Sequence, residues 1–409
     1  MSAPSHFLFV GNGQYANRGC EAIAKSSIRI IREFFPGVPV YNGNELGDYD
    51  QRDETEPDVQ HIYCPCYLRD RRIRLSHLVF RKTGAVVDPT IAGGVVRRLA
   101  LDCRAIISMG GDLYGLSHGP EILMQYVLVG EAALKAGKPF VIWGATIGNL
   151  DADRRVKELA LRHFRRCPLI LVRDRSSLDY LGRNGVSDNV RLVADPAFTL
   201  EPQEPRIPLS NTEPLEETIG FNLAASYGRI GNLGDYRDMI ELGADCVESL
   251  IRETGRPVML IPHIVAYPET TYGNDTLFLS LVRECLAARR VDVSLLPSCL
   301  RSWEIKWVLG RLHAYVGSRW HSTVGALSSA TPTVSIGFSE KAPALNELLL
   351  GHTRFALDCR ELTPERLTGL VSELLSEHDV VASSLRAVLP EIKALARSAG
   401  EHLWDLLAA

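Results

Sequence analysis

The sequence predicts an α/β protein of two doubly wound, Rossmann-like domains facing across a cleft. Three observations predict it. Short apolar runs alternate with longer amphipathic stretches along nearly the whole chain, which implies buried, mainly parallel strands covered by helices on both faces. The alternation breaks once, over Glu201 to Glu217, where Pro202, Pro205, Pro208 and Pro214 sit among charged residues. That composition reads as an interdomain linker. Finally, 409 residues exceed what one ordinary hydrophobic core accommodates.

Each element follows from its local pattern. In the first domain, residues 1–200, Phe7 to Val10 reads as a strand. Glu21 to Phe35 reads as a helix with Ile23, Ile28, Ile31 and Phe34 on its apolar face. Further strands are expected at Val38 to Tyr41, His61 to Tyr63, Ala105 to Met109, Phe140 to Trp143, Leu169 to Val172 and Arg191 to Val193, with a helix at Glu121 to Lys135. In the second domain, residues 218–409, strands are expected at Ile219 to Leu223, Val258 to Ile261, Val291 to Leu295, Ala314 to Val316 and Thr333 to Ile336. Helices at Pro364 to Ser376 and Leu385 to Leu407 close the chain.

Bulk properties exclude several classes. The net charge is −4, and basic residues are scattered apart from local clusters such as Arg69 to Arg74. No basic face with interleaved aromatics is visible, so nucleic acid is not an expected partner. No apolar run reaches the roughly 18 residues of a membrane span, and the N-terminus lacks the pattern of a secretory signal. Nine scattered cysteines, an odd number, suit reduced thiols in a cytoplasm better than a disulfide framework. Cys64-Pro65-Cys66 with His61 nearby lacks a second ligand pair, so no metal is expected.

Ligands of doubly wound sheets bind beyond the carboxyl ends of strands, so the loops after strands carry the candidate chemistry. The most telling is Gly317-Ser318-Arg319-Trp320-His321-Ser322, between a strand and a short helix. A helix N-terminus offers unpaired N–H groups and partial positive charge to anions. Arg319 adds a permanent charge in a planar fork that matches carboxylate or phosphate. His321 adds a group that gives or takes protons near neutral pH, and Ser322 joins the substrate-binding candidates. An arginine tied to a structural carboxylate and a histidine satisfied at a helix cap remain the open alternative.

Other loops are weaker singly. Gly11, Gly13 and Ala16 formally fit a dinucleotide fingerprint, but Asn17, Arg18 and Gly19 lengthen that loop, whereas the fingerprint opens directly into a helix. Asn17 offers donor and acceptor groups suited to sugar hydroxyls. Glu21 either accepts a hydroxyl proton or favours its helix N-terminus through the dipole. Gly110 and Gly111 let the chain turn at a strand end, where Asp112 serves as a general base or as an Asx turn. Asp174 resembles an N-cap, Arg173 is a cleft-facing candidate, and Asp195 either pins the linker or meets substrate. His263, Arg229 and Lys341 each follow a strand of the second domain.

Taken in order, these motifs resemble the polysaccharide pyruvyl transferase family. The resemblance is carried by Asn17, Gly19, Glu21, Ala22 and Ile23; by Gly110, Gly111 and Asp112; by Arg173, Asp174, Ser177, Asp195 and Pro196; by Pro262 and His263; and by Arg319, His321, Ala326 and Lys341. It departs at Phe338, where the family often has tyrosine, and at His313, where it often has an acidic residue. The family's arginine after the strand Ile219 to Leu223 has only Arg229 as a substitute. The resemblance implies a GT-B-like fold, with the donor in the C-terminal domain and a sugar in the N-terminal one. It implies transfer of a pyruvyl group from phosphoenolpyruvate onto two sugar hydroxyls as a cyclic ketal.

The roles expected on that basis are specific. Arg319, the following helix N-terminus, and Lys341 or Arg173 hold the donor; His321 protonates its methylene carbon; Asp112 or Glu21 takes the hydroxyl proton. His263, Arg229, Asn17, Gly110, Gly111 and Ser322 complete the binding set. No redox cofactor or metal is called for. A cytoplasmic location is expected, peripheral at the inner membrane face if the acceptor is lipid-linked, and a homo-oligomer is allowed. The alternatives are a glycosyltransferase using a nucleotide-sugar and a non-catalytic sugar- or anion-binding protein.

Overall fold

The computed structural model describes residues 6–44, 47–64, 71–85, 100, 102–148, 150–209, 213–265 and 273–408, the side chains of 48, 49 and 73 excepted. The chain forms two compact units. The first comprises residues 1–15, 23–199 and 393–409, and the second comprises residues 16–22 and 200–392.

The first unit is a seven-stranded sheet in the order β3-β2-β1-β4-β5-β6-β7. Its strands are β1 (His6–Val10), β2 (Val40–Asn44), β3 (Val59–Tyr63), β4 (Cys103–Gly111), β5 (Phe140–Ala145), β6 (Leu169–Val172) and β7 (Val190–Leu192). Every neighbouring pair is parallel. The helices are α1 (Arg18–Phe34), α2 (Gly47–Arg52), α3 (Arg71–Thr83), α4 (Pro120–Lys135), α5 (Arg154–Phe164) and α6 (Arg175–Arg183). Leu8 and Ile106 turn to one core with Leu123 and Val127 of α4. Their neighbours Phe7 and Ile107 turn to the other with Ile28 and Ile31 of α1. This alternation buries both faces of the sheet.

The second unit is a six-stranded parallel sheet in the order β10-β9-β8-β11-β12-β13. It contains β8 (Ile219–Asn222), β9 (Val258–Leu260), β10 (Ser294–Leu295), β11 (Ala314–Gly317), β12 (Thr333–Gly337) and β13 (Ala356–Asp358). Its helices are α7 (Tyr227–Ile230), α8 (Tyr236–Thr254), α9 (Asp275–Ala288), α10 (Ser302–Leu309), α11 (Trp320–Leu327), α12 (Lys341–Leu350), α13 (Pro364–Ser376) and α14 (His378–Ala408). No described helix is long and apolar enough to cross a membrane.

The sequence expectations meet three differences here. The two units are not the continuous stretches 1–200 and 218–409. Residues 16–22 belong to the second unit and 393–409 to the first, because Ala399 and Leu403 of α14 join the core of Phe7 and Ile107. The strand expected over Val291 to Leu295 shrinks to Ser294–Leu295, and the edge strand Ala356–Asp358 is additional. Residues 65–70, which hold part of the Cys64-Pro65-Cys66 stretch and of the basic cluster, lie outside the described residues.

A buried polar network anchors the loop after β1. The Tyr15 main-chain N–H donates to both oxygens of Asp50, 3.1 Å each, and its hydroxyl donates to Glu54 at 3.0 Å. Glu54 pairs with the fully buried Lys25 and with His61 Nε2 at 2.8 Å. Burial pushes the Glu54 carboxyl up, but the His61 hydrogen bond and the Lys25 charge outweigh it and hold it at about 2, against an ordinary 4.5. A carboxyl held low stabilises the fold above its unfolded pKa, and that share is lost as pH falls through the folded one. Stability measured by denaturant unfolding should therefore drop between pH 4.5 and 2, with Glu54 contributing on the order of 3 kcal/mol. Glu54→Gln should cost about 3–5 kcal/mol at pH 7, because it leaves the Lys25 charge buried without its carboxylate.

Candidate active site

The second unit gathers its charged candidates at the carboxyl edge of the sheet. Its strand order changes direction between β8 and β11, the switch point where such sheets take ligands. Arg319 sits between Gly317, the end of β11, and α11. Its main-chain N–H donates to Asn222 Oδ1 at 3.1 Å, and the Ser318 hydroxyl donates to the same oxygen at 3.0 Å. Asn222 is the last residue of β8.

The Arg319 guanidinium is tied to a carboxylate. Nε donates to the two Asp275 oxygens at 3.1 and 3.2 Å, and Nη2 donates to Oδ1 at 2.6 Å. Asp275 Oδ2 also accepts the main-chain N–H groups of His263 (3.1 Å) and Ile264 (3.0 Å) and the Asn222 amide (3.4 Å). The Asp275 side chain is 1% exposed and that of Arg319 is 18% exposed. The pair thus fixes the orientation of the guanidinium.

Residues 16–22 complete this cluster. Asn17 bridges Ile264 in antiparallel fashion. The Arg18 N–H donates to His263 O at 3.0 Å, and the Val265 N–H donates to Ala16 O at 2.9 Å. Gly19 faces His321: a Cβ on Gly19 would overlap the imidazole, coming within 2.8 Å of its Cβ. His263 is 4% exposed, and neither of its ring nitrogens has a hydrogen-bond partner among the described residues. Burial, reinforced by the charges of His321, Arg319 and Arg18, holds its pKa well below the ordinary histidine value. His263 is therefore a neutral imidazole with one donor and one acceptor nitrogen.

Several expected roles meet other geometry. Glu21 is fully buried; its Oε2 accepts the Ser302 main-chain N–H at 2.8 Å, with Arg18 at 3.4 Å. A carboxylate committed to the start of α10 does not fit the expected hydroxyl base. Asn17 Oδ1 accepts the Gly19 N–H at 3.0 Å, as an N-cap of α1. Ser322 is fully buried and donates to the Arg319 carbonyl at 2.8 Å within its own helix turn. Arg229 is exposed on α7, and the half-buried Lys341 opens α12 after β12.

In the first unit the corresponding switch point lies between β1 and β4. A Cβ on Gly110 would strike Ala145 Cα at 2.7 Å, so this glycine lets β4 and β5 approach. Gly111 has φ +45°, with open space where a Cβ would lie, and this conformation suits glycine. Asp112 follows and meets His118 Nε2 at 3.1 Å, both side chains partly exposed. Arg173 does not fit the expected substrate contact. Its side chain is 4% exposed, paired to Asp195 at 2.5 Å and bonded to Thr146 Oγ1 at 3.0 Å. Asp174 caps α6 through the Ser177 N–H at 2.8 Å.

Sequence reasoning passed over Arg18, Asn222, Asp275 and His118. Asn222 ends a strand and Asp275 opens a helix, so their positions alone were available as signals. Arg18 was visible only as a loop residue. His118 lies six residues after Asp112, a spacing with no motif behind it.

Two doubly wound parallel-sheet units define a GT-B-like fold. Among solved structures, the chain is similar to UDP-GlcNAc 2-epimerase from Neisseria meningitidis, with a TM-score of 0.56, 10% identity and 98% of each chain covered. It is also similar to a UGT transferase from Siraitia grosvenorii, with a TM-score of 0.56, 11% identity, and 99% of this chain and 100% of that one covered. At such identities the likeness establishes the fold alone. Residues 17–340 match the polysaccharide pyruvyl transferase family. The chain belongs to that family and is a transferase. It is 22% identical over 295 residues to the amylovoran biosynthesis protein AmsJ of Erwinia amylovora, covering 70% of this chain and 69% of that protein.

The contact between Gly19 and His321 generates a prediction. Gly19→Ala should lower transferase turnover on the order of 10²-fold by displacing the ring. Thermal stability should fall as well, by about 1–3 kcal/mol, because the added methyl overlaps the His321 ring and its Cβ. Turnover and melting measured on the same preparation check both.

Proposed function

We propose that the chain transfers a pyruvyl group from phosphoenolpyruvate onto two hydroxyls of a sugar, closing a cyclic ketal during polysaccharide or glycoconjugate biosynthesis. The observation that carries this reading is the half-buried His321 beside an Arg319 oriented by Asp275, with the neutral His263 next to both. Phosphoenolpyruvate bears a carboxylate and a phosphate. Arg319 offers charge to one of them, the first turn of α11 offers N–H groups, and Lys341 at the start of α12 offers a second charge. His263 offers a hydrogen bond without adding charge.

The chemistry balances as follows. His321 gives a proton to the methylene carbon, turning it into a methyl group and leaving the adjacent carbon electrophilic. The first sugar hydroxyl attacks that carbon as its O–H bond breaks. The carbon–oxygen bond to phosphate then breaks, and phosphate leaves with the electron pair. The second hydroxyl closes the ketal. Of the two hydroxyl protons, one replaces the proton spent by His321 and the other leaves with phosphate.

Mass spectrometry of products from phosphoenolpyruvate and a panel of sugar acceptors tests this reading. The expected result is one pyruvyl ketal gained per acceptor with stoichiometric phosphate release. Nucleoside diphosphate release from a nucleotide-sugar donor would instead support the glycosyltransferase reading, which the fold also accommodates. His321→Ala should lose turnover on the order of 10²-fold or more with the fold retained. Arg319→Lys should raise the KM for phosphoenolpyruvate, because the two-point contact to Asp275 is lost with the planar fork.

A further inference from the structure

We propose that α3 docks the chain on an anionic lipid bilayer, lying along the surface with its outer side in the headgroup layer. The proposal concerns the first unit alone and stands apart from the pyruvyl-transfer reading.

The helix has one anchored side. Ser76, His77 and Phe80 are buried, and Phe80 joins the core that holds Leu123 and Val127 of α4. At helical spacing these three positions share one side. Leu75 and Leu78, three residues apart, fall on the opposite side and are 64% and 53% exposed. Arg71 and Lys82 share that outer side and are exposed, and Arg72 and Arg74 are exposed on its flanks. Arg81 leans toward α5, with its Nη2 4.0 Å from Asp153.

Charge and apolarity together select the partner. The helix carries Arg71, Arg72, Arg74, Arg81 and Lys82 and no acidic residue, in a chain whose net charge is −4. Basic side chains around exposed leucines complement a surface that is anionic outside and apolar just beneath. The long arginine and lysine stems keep their charges among the headgroups as the helix settles, and the two leucines reach the acyl boundary. A nucleic acid would answer the charge and leave the leucines against phosphates. An apolar protein groove would cover the leucines and strip water from the arginines. At 13 residues the helix is too short to cross a bilayer, so the contact is lateral.

Co-sedimentation of the full chain with vesicles tests this. The chain should bind vesicles of phosphatidylglycerol and phosphatidylcholine in equal parts, and raised salt should release it. Binding to phosphatidylcholine alone should be weaker on the order of 10-fold or more. Arg71→Gln combined with Lys82→Gln should weaken binding to the anionic vesicles on the order of 10-fold. Leu75→Ser combined with Leu78→Ser should weaken it by about 10-fold. All four side chains are exposed, so both double variants should melt with the parent. Absence of binding to the anionic vesicles overturns the proposal, as does equal binding to phosphatidylcholine alone. Weakening by only one double variant overturns it too: charge alone would mark an acidic protein or a nucleic acid, and the leucines alone an apolar protein contact.

Discussion

The second unit's site is organised by one carboxylate. Asp275 is buried at the start of α9, and its two oxygens receive two main-chain N–H groups, the Asn222 amide and a two-point contact from Arg319. Those donors come from the ends of β8 and β11 and from the stretch after β9, so a single anion fixes the relative positions of three strand ends. A buried charge so fully hydrogen-bonded is tolerated, whereas one stripped of its partners costs several kcal/mol. The same contact gives Arg319 a fixed orientation, so the guanidinium meets a ligand without first losing side-chain freedom.

Ion pairs run through the cluster around Arg319. Arg18 and Arg301 lie against Glu21, and Arg319 lies against Asp275. Both carboxylates are buried. Burial and the neighbouring cations keep His263 neutral. Its ring nitrogens stay available as a donor and an acceptor in a place where another positive charge would be unfavourable.

Much of this was legible in the sequence, and the reason is geometric. Apolar runs mark buried strands, and their ends mark where a doubly wound sheet presents side chains, so Arg319, His321, His263 and Lys341 were placed at the correct edge of the sheet. The partners were not legible. Asp275 lies 44 residues before Arg319 and reads, from its neighbours, as an ordinary acidic residue in the first turn of a helix. Glu21 and Arg173 carry the residue types of a site, yet each is committed to a structural bond formed across a long sequence separation, to Ser302 and to Asp195. Residue type reports what a side chain can do; only the fold decides which neighbour claims it.

Arg319 is tied to a structural carboxylate, the alternative that the sequence left open. An arginine bound to a carboxylate reads, in isolation, as a group already spent. Here the ion pair engages Nε and Nη2 on one edge, and the side chain remains 18% exposed. Arg173 shows the contrast: its pair with Asp195 is equally direct, but both side chains are within 4% of complete burial, and its remaining contact is to Thr146 inside the same unit. The two pairs differ in what they leave accessible, 18% of the Arg319 side chain against 4% of that of Arg173.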